Sequence, residues 1–361
     1  MTEAAALDAR ILAAIGAYAL DDAAFLALAR DLFVFQVQRD APYAAYARSL
    51  GYDADRLPAR IEDIPAVPSA AFKEARLAAF PPDQTALWFE TSGTTQGRGG
   101  RHEFDTPRLY EAALLTSFDR MLLADGARLR YLQLVPDPRQ RPHSSLGYMM
   151  DVVARERGDG ATGWYLRDDV LDVERFVHDA RAAAADGRAV CVATTAFALV
   201  ALLDELAARS TTLALPPGSR LMETGGFKGR TRVVERVWLY REAAARLGLP
   251  IEAIVAEYGM TELSSQYYDA PRTRERIEPR VKTPPPWLRP IVVDGEGRPV
   301  ARGVVGALRH VDLANRGSVI AIETEDLGAL VDDGLVLLGR EQGAELRGCS
   351  LDAETLLARR P

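Results

Sequence analysis

Residues 88–101, WFETSGTTQGRGGR, are the stretch around which the chain is organised. Their apolar start predicts the end of a strand, and the hydroxyl- and glycine-rich part that follows predicts a loop. Glycines let successive backbone N–H groups point into one concavity, where they can bind an anion. The stretch does not match the G-x-x-x-x-G-K-[ST] pattern of a Walker loop. We therefore interpret it as a phosphate-binding loop of another kind, with a flexible surface turn as the alternative.

Hydroxyls, glycine N–H groups and guanidinium groups supply the predicted phosphate contacts of this loop. The residues concerned are Thr91, Ser92, Gly93, Thr94, Thr95, Gly97, Arg98 and Arg101.

Composition restricts the class of protein. The chain has 361 residues, of which 48% are hydrophobic and 26% charged, so it can build a sizeable core. A net charge of -7 argues against a general nucleic-acid binder. Two cysteines cannot form a disulfide framework, no apolar run is long enough to span a bilayer, and the first residues lack a signal pattern. We expect a cytoplasmic protein without membrane insertion.

The order of patterns along the chain predicts an α/β fold. Residues 1–80 read as a helical region, and residues 81–280 alternate strands, loops and helices. Such alternation predicts largely parallel sheets flanked by helices, with ligands at the carboxyl ends of the strands. Residues 281–345 read as a small β-rich subdomain, and residues 346–361 form a C-terminal segment that carries Cys349.

Some elements are predicted with definite bounds. Residues 129–135 and 251–258 are predicted as strands, and residues 171–185 as a helix. In the β-rich part, residues 318–324 and 330–331 are predicted as separate short strands with turn signals between them.

Two further motifs follow predicted strands. Gly225 and Gly226 lie where a flat ligand could approach the backbone, and Lys228 could meet a phosphate or carboxylate. The second motif, residues 258–262, reads YGMTE and combines an aromatic face, a hydroxyl and a carboxylate. Glu262 beside phosphates would be a natural Mg²⁺ ligand. The plain alternatives are a strand-to-helix turn with a solvated lysine, and the capped start of a helix.

A third motif, residues 325–328, reads EDLG and precedes Gly339 and Arg340. A carboxylate at Asp326 could accept two hydrogen bonds from a ribose diol. The alternative for this aspartate is a turn residue.

In this order and spacing, the motifs resemble the adenylate-forming superfamily of acyl-CoA synthetases, adenylation domains and luciferase. The resemblance implies that residues 91–97 are its phosphate loop and that Gly225 and Gly226 line adenine. Residues 258–262 match its Tyr-Gly-x-Thr-Glu signature, in which Tyr258 and Thr261 would contact the substrates. Asp326 and Arg340 would contact the ribose. ATP and Mg²⁺ are the cofactors that this resemblance implies.

Superfamily members continue into a mobile C-terminal domain with a catalytic lysine, and the resemblance implies that this domain is absent here because the sequence stops at Pro361. The resemblance is then closer to the acyl-protein synthetases, or long-chain-fatty-acid–protein ligases (LuxE). Three stretches carry it: PHSSL at residues 142–146, ETGGFKG at residues 223–229 and LRGCSL at residues 346–351. In that family a cysteine near the C-terminus receives the acyl group. This role would fall to Cys349.

The resulting hypothesis is an ATP-dependent acid–thiol ligase. A small-molecule carboxylic acid, fatty by resemblance, would attack ATP, and the acyl adenylate would pass to Cys349 as a thioester for a protein partner such as an acyl reductase. Arg98, Arg101 and Lys228 would neutralise charge as pyrophosphate leaves. The alternatives are a ligase that passes the adenylate to coenzyme A or an amine, and a non-catalytic nucleotide-binding relative.

The remaining histidines and the second cysteine carry weaker hypotheses. His143 precedes a predicted helix and is a candidate to orient the acyl substrate or to act as a base for the thiol, with a capping or surface role as the alternative. His102, beside the phosphate loop, is a weaker candidate. Cys191 lies in an apolar strand pattern and is predicted to be core. No His/Cys cluster has the spacing of a zinc site.

Overall fold

The computed structural model describes residues 2–91, 99–168, 170–225, 234–332 and 334–340. The predicted positions Gly226, Lys228 and Cys349 therefore lie outside the described residues. Within the described ranges, no helix has the length and apolar run that a membrane crossing needs.

Helices of the described chain are α1 (Glu3–Ala17), α2 (Asp22–Val37), α3 (Ala41–Ser49), α4 (Ala71–Glu74), α5 (Arg108–Leu122), α6 (Ser145–Arg157), α7 (Val173–Ala185), α8 (Ala196–Ala208) and α9 (Arg236–Leu247).

Strands of the described chain are β1 (Val67–Pro68), β2 (Leu87–Glu90), β3 (Arg101–Phe104), β4 (Leu129–Pro136), β5 (Gly158–Arg167), β6 (Val170–Leu171), β7 (Val190–Thr195), β8 (Arg220–Thr224), β9 (Ile254–Tyr258), β10 (Tyr267–Asp269), β11 (Lys282–Thr283), β12 (Leu288–Val293), β13 (Gly306–Asp312), β14 (Ala321–Val331) and β15 (Gly334–Arg340).

Contacts within the chain group it into two units. Of the described residues, the first unit contains those up to residue 116, residues 260–266, and those from residue 284 to residue 340. The second unit contains residues 117–259 and 267–283. The chain thus leaves the first unit and returns to it twice. The divisions predicted near residues 80, 280 and 345 stay a prediction.

The first unit is built on an antiparallel sheet with the strand order β12–β13–β14–β15, and β1 pairs with β14 in parallel. Strands β2 and β3 form a separate hairpin. The side chains of Thr2 and Asp21 cap α1 and α2 by accepting hydrogen bonds from backbone N–H groups of the first turn. The apolar faces of these helices, with Ile11 and Phe25, pack with Trp287 in a fully buried core.

The second unit contains the parallel sheet. Its strand order is β11–β10–β9–β8–β7–β4–β5–β6, and the five strands from β9 to β5 run parallel. Cys191 in β7 is fully buried, which confirms the prediction that it is core. Because these strands are parallel, their carboxyl ends meet at one edge, where Thr224 ends β8 and Tyr258 ends β9.

Three predicted elements differ from the structure. The helix predicted from residue 171 is α7, which starts at Val173 with Asp172 as its N-cap, and Leu171 instead ends β6. The strand predicted from residue 251 begins at Ile254, after a single 3₁₀ turn. The two short strands predicted at 318–324 and 330–331 are one continuous strand, β14, whose register shifts at Leu327 and Gly328. A β-bulge accommodates Gly328 within the strand, so the predicted turn does not form.

Candidate active site

The β2–β3 hairpin flanks the predicted phosphate loop. Thr91 closes it, because its backbone N–H donates to the Gly100 carbonyl at 2.9 Å and its hydroxyl accepts from the Gly100 N–H at 2.9 Å. A Cβ on Gly100 would lie 2.7 Å from the backbone of Phe72, so glycine permits this close approach. Residues 92–98, and with them the predicted contacts of Ser92, Gly93, Thr94, Thr95, Gly97 and Arg98, lie outside the described residues.

Arg101 lies on the surface of the same hairpin. Its guanidinium carbon is 4.1 Å from the ring centroid of Trp88, a cation–π distance. The hairpin therefore keeps one of the predicted phosphate-binding charges next to the point where the loop begins.

His102 joins this hairpin to the YGMTE motif. Its Nδ1 is 2.9 Å from the Thr261 carbonyl oxygen, and its ring stacks 4.2 Å from that of Phe104. Burial lowers the pKa of His102 to about 4, so the ring is neutral near pH 7 and Nδ1–H donates to the carbonyl. The Thr261 hydroxyl donates in turn to the Glu90 carbonyl at 3.5 Å. The sequence marks His102 only as a weaker candidate, and its partner Thr261 lies 159 residues away, where no local pattern could show it.

Glu262 is the predicted Mg²⁺ ligand, and it is a buried carboxylate in the segment that His102 contacts. Among the described residues, no group of three or more Asp, Glu, His or Cys side chains could hold a metal ion by itself. The Glu262 carboxylate is an oxygen donor of the kind that Mg²⁺ takes, commonly one or two in a site together with substrate phosphates.

Asp326 and Arg340, the predicted ribose pair, lie opposite each other in the β14–β15 register. Asp326 is buried within β14 rather than in a turn, and its backbone N–H donates to the Thr324 hydroxyl at 3.2 Å. His310 on the neighbouring strand is fully buried, and that burial lowers its pKa to about 4 although the Asp326 charge opposes the shift.

The glycine and tyrosine motifs of the second unit both follow parallel strands. Gly225 comes directly after β8 and has φ +75°, a conformation that disfavours any residue with a Cβ. Tyr258 ends β9, and its ring centroid is 5.5 Å from that of Tyr267. The structure therefore places Gly225 and Tyr258 at the ends of adjacent strands, at the edge where parallel sheets bind ligands.

Two buried carboxyl groups stand directly before these motifs, and sequence reasoning missed both. Thr224 donates its hydroxyl hydrogen to the Glu257 carboxylate, and the Tyr240 hydroxyl donates to Glu223 at 2.8 Å. Burial raises the pKa of Glu257 to about 7. The available signal was a glutamate near the carboxyl end of each of two buried strands.

A buried ion cluster lies next to these carboxyl groups. The Asp269 carboxylate pairs with Arg280 at 2.8 Å and with Lys282 at 2.9 Å. Lys282 also donates to the Ala256 carbonyl at 2.8 Å, while the Ala256 N–H donates to Asp269 at 2.8 Å. The cluster thus clamps β9 to the two strands that follow it.

His143 is half-buried and lies just before α6, whose first turn is capped by Ser144. The roles predicted for His143, Lys228 and Cys349 stay predictions.

Comparison with known proteins places this fold and motif order in a family. The sequence profile of the family described as "Acyl-protein synthetase, LuxE" matches residues 17–357. The chain belongs to the acyl-protein synthetase family. Over 310 residues it is 23% identical to the long-chain-fatty-acid–luciferin-component ligase of Aliivibrio fischeri, covering 83% of this chain and 78% of that protein. At the level of the family, this confirms the prediction of an ATP-dependent acid ligase.

Solved structures agree with the fold of this acyl-protein synthetase family member. A 2-hydroxyisobutyryl-CoA ligase in the postadenylation state matches with a TM-score of 0.66 at 14% identity, over 88% of this chain and 67% of that one. ATP-bound MatB from Rhodopseudomonas palustris matches with a TM-score of 0.51 at 17% identity, over 73% of this chain. The match spans 49% of MatB, about half its length. The predicted adenylate-forming α/β fold is confirmed.

Proposed function

We propose that this chain activates a fatty acid with ATP and then carries the acyl group on Cys349. The observation that supports this most strongly is the family match, which runs from residue 17 to residue 357 and so includes both the loop after Thr91 and Cys349. The name of the Aliivibrio fischeri relative supports a long-chain fatty acid as the substrate class.

The first step would form an acyl adenylate. A carboxylate oxygen of the acid attacks the α-phosphorus of ATP, the bond from that phosphorus to the bridging oxygen breaks, and pyrophosphate leaves. Residues 91–97 would hold the β- and γ-phosphates, and Arg98, Arg101 and Lys228 would neutralise the departing charge. Glu262 would hold Mg²⁺, whose charge would help to neutralise the phosphates.

Nucleotide selection would rest on the remaining motifs. Tyr258 would stack the adenine base next to Gly225 and Gly226. Asp326 would accept hydrogen bonds from the ribose hydroxyls, opposite Arg340 on the neighbouring strand.

The second step would transfer the acyl group. The Cys349 thiolate attacks the carbonyl carbon of the adenylate, a carbon–sulfur bond forms, and AMP leaves with the electrons of the broken carbon–oxygen bond. His143 is the proposed base for the thiol or the residue that orients the acid. The thioester would then be delivered to a protein partner such as an acyl reductase.

Labelling tests this proposal directly. The protein is incubated with ATP, Mg²⁺ and radiolabelled hexadecanoic acid and then separated on a denaturing gel. We expect a labelled band that hydroxylamine removes and that Cys349→Ala lacks, while Cys191→Ala, a buried control, keeps it. Pyrophosphate exchange that survives Cys349→Ala, with product only when coenzyme A or an amine is added, would instead identify a ligase with a small acceptor.

A further inference from the structure

Residues 261–265 form a segment without helix or strand, and residues 262–265 are buried, so the backbone there needs hydrogen-bond partners elsewhere in the fold. This segment includes Glu262. Some of these partners come from the turn at residues 312–315, at the end of β13. A hydrogen bond from the Asn315 N–H to the Asp312 carbonyl at 3.1 Å closes this turn. Both parts belong to the first unit.

Asp312 holds the far end of the segment. One oxygen of its carboxylate accepts from the Ser264 N–H at 3.0 Å, and the other accepts from the Ser265 hydroxyl at 2.8 Å and the Ala314 N–H at 3.0 Å. The Trp287 indole N–H donates to the Ser265 hydroxyl at 3.0 Å, which fixes that hydroxyl in place. All of these side chains are buried, and burial raises the pKa of Asp312 to about 6.

Asn315 holds Glu262 itself. Its side-chain N–H group donates to the Glu262 carbonyl at 3.0 Å and to the Val319 carbonyl at 3.1 Å. The backbone is therefore fixed at Glu262 by Asn315 and two residues later, at Ser264, by Asp312. A side chain whose backbone is held at the residue itself and again two residues later has few ways to move away from its target.

We propose that Asp312 and Asn315 are positioning residues that fix the Glu262 carboxylate for a divalent cation bound with ATP. This inference rests on the proposed function. Neither residue would touch the metal or the nucleotide; each would act through the backbone of residues 261–265. Groups that hydrogen-bond directly to a metal ligand typically change metal affinity tenfold or more when they are removed, and we expect an effect of that order for these backbone contacts.

Metal binding without turnover tests the inference. Mn²⁺ is titrated into the full chain with α,β-methylene-ATP, and free Mn²⁺ is followed by electron paramagnetic resonance. We expect Asp312→Asn and Asn315→Ala each to raise the Mn²⁺ concentration at half-saturation about tenfold. In pyrophosphate exchange, the same variants should raise the Mg²⁺ requirement more than they lower kcat at saturating Mg²⁺.

Ser318→Ala is the matched control. Ser318 is fully buried, lies three residues after Asn315, and donates to the Leu77 carbonyl at 2.8 Å rather than to residues 261–265. It should lower the urea midpoint without changing Mn²⁺ half-saturation. Ser265→Ala removes only one hydroxyl and serves where Asp312→Asn does not fold; we expect it to raise the Mn²⁺ concentration at half-saturation less than Asp312→Asn does.

Two outcomes would overturn the inference separately. Wild-type binding that depends on Glu262, together with unchanged half-saturation in the Asp312, Asn315 and Ser265 variants, would refute the positioning role and leave the proposed function standing. Failure of the wild type to bind Mn²⁺ with the ATP analogue would refute the metal role of Glu262, and the inference with it.

Discussion

Replacing His102 with glutamine should make the free energy of unfolding less sensitive to acid. The folded state holds this imidazole neutral, with a pKa of about 4 against an ordinary value of 6.5. The unfolded chain therefore binds a proton more readily, and stability is lost as the pH falls from 6.5 towards 4. Between about pH 8 and about pH 5, the linked loss for this one group is about 2 kcal/mol.

Glutamine keeps an N–H donor for the Thr261 carbonyl but does not titrate. The free energy of unfolding, measured by urea titration with tryptophan fluorescence, should thus fall about 2 kcal/mol less in His102→Gln than in the wild type over this range. Phe33→Leu, a fully buried and non-titrating change in the same unit, should keep a constant difference from the wild type. If the wild type and His102→Gln showed the same pH dependence, the conclusion that His102 is buried and neutral would be wrong.

Three further predictions concern the loop and the second unit. Changing Thr94 and Thr95 together to Ala should abolish pyrophosphate exchange with an unchanged circular dichroism spectrum; retained exchange would reduce the loop to a surface turn. Glu257 has a pKa of about 7, so the free energy of unfolding falls as the pH rises from 4.5 to about 7. Glu257→Gln does not titrate and should gain about 1 to 3 kcal/mol of stability relative to the wild type between about pH 5 and about pH 8, measured by urea titration. Asp269→Asn leaves two buried cations without their full partner and should cost about 3 to 5 kcal/mol, so a thermal midpoint within a degree of the wild type would contradict the clamp.

Local patterns predicted the fold well where one feature dominated. The apolar run of β4 was bounded to within one residue, and Gly225 was correctly placed directly after β8. These features depend on burial and on backbone freedom, which a single stretch of sequence displays.

Prediction failed where distant partners decide the structure. Gly328 signals a turn in isolation, but pairing on both sides of β14 keeps the strand continuous and confines the glycine to a bulge. The support of residues 261–265 by Asp312 and Asn315 spans about fifty positions, so no local pattern could reveal it. Of the site, the motifs were readable from the sequence, whereas the hydrogen bonds that hold them were not.

The two returns of the chain to the first unit have a consequence for biosynthesis. The core that buries α1 and α2 also needs Trp287 and Ile320, which the ribosome adds about 250 to 280 residues after α2 is complete. At typical elongation rates of about 5 to 20 residues per second, those apolar helix faces would stay without their sheet for on the order of 10 to 60 s. The second unit, nearly continuous in sequence, can close first. Nascent chains arrested before residue 284 should therefore depend on chaperones through their N-terminal helices.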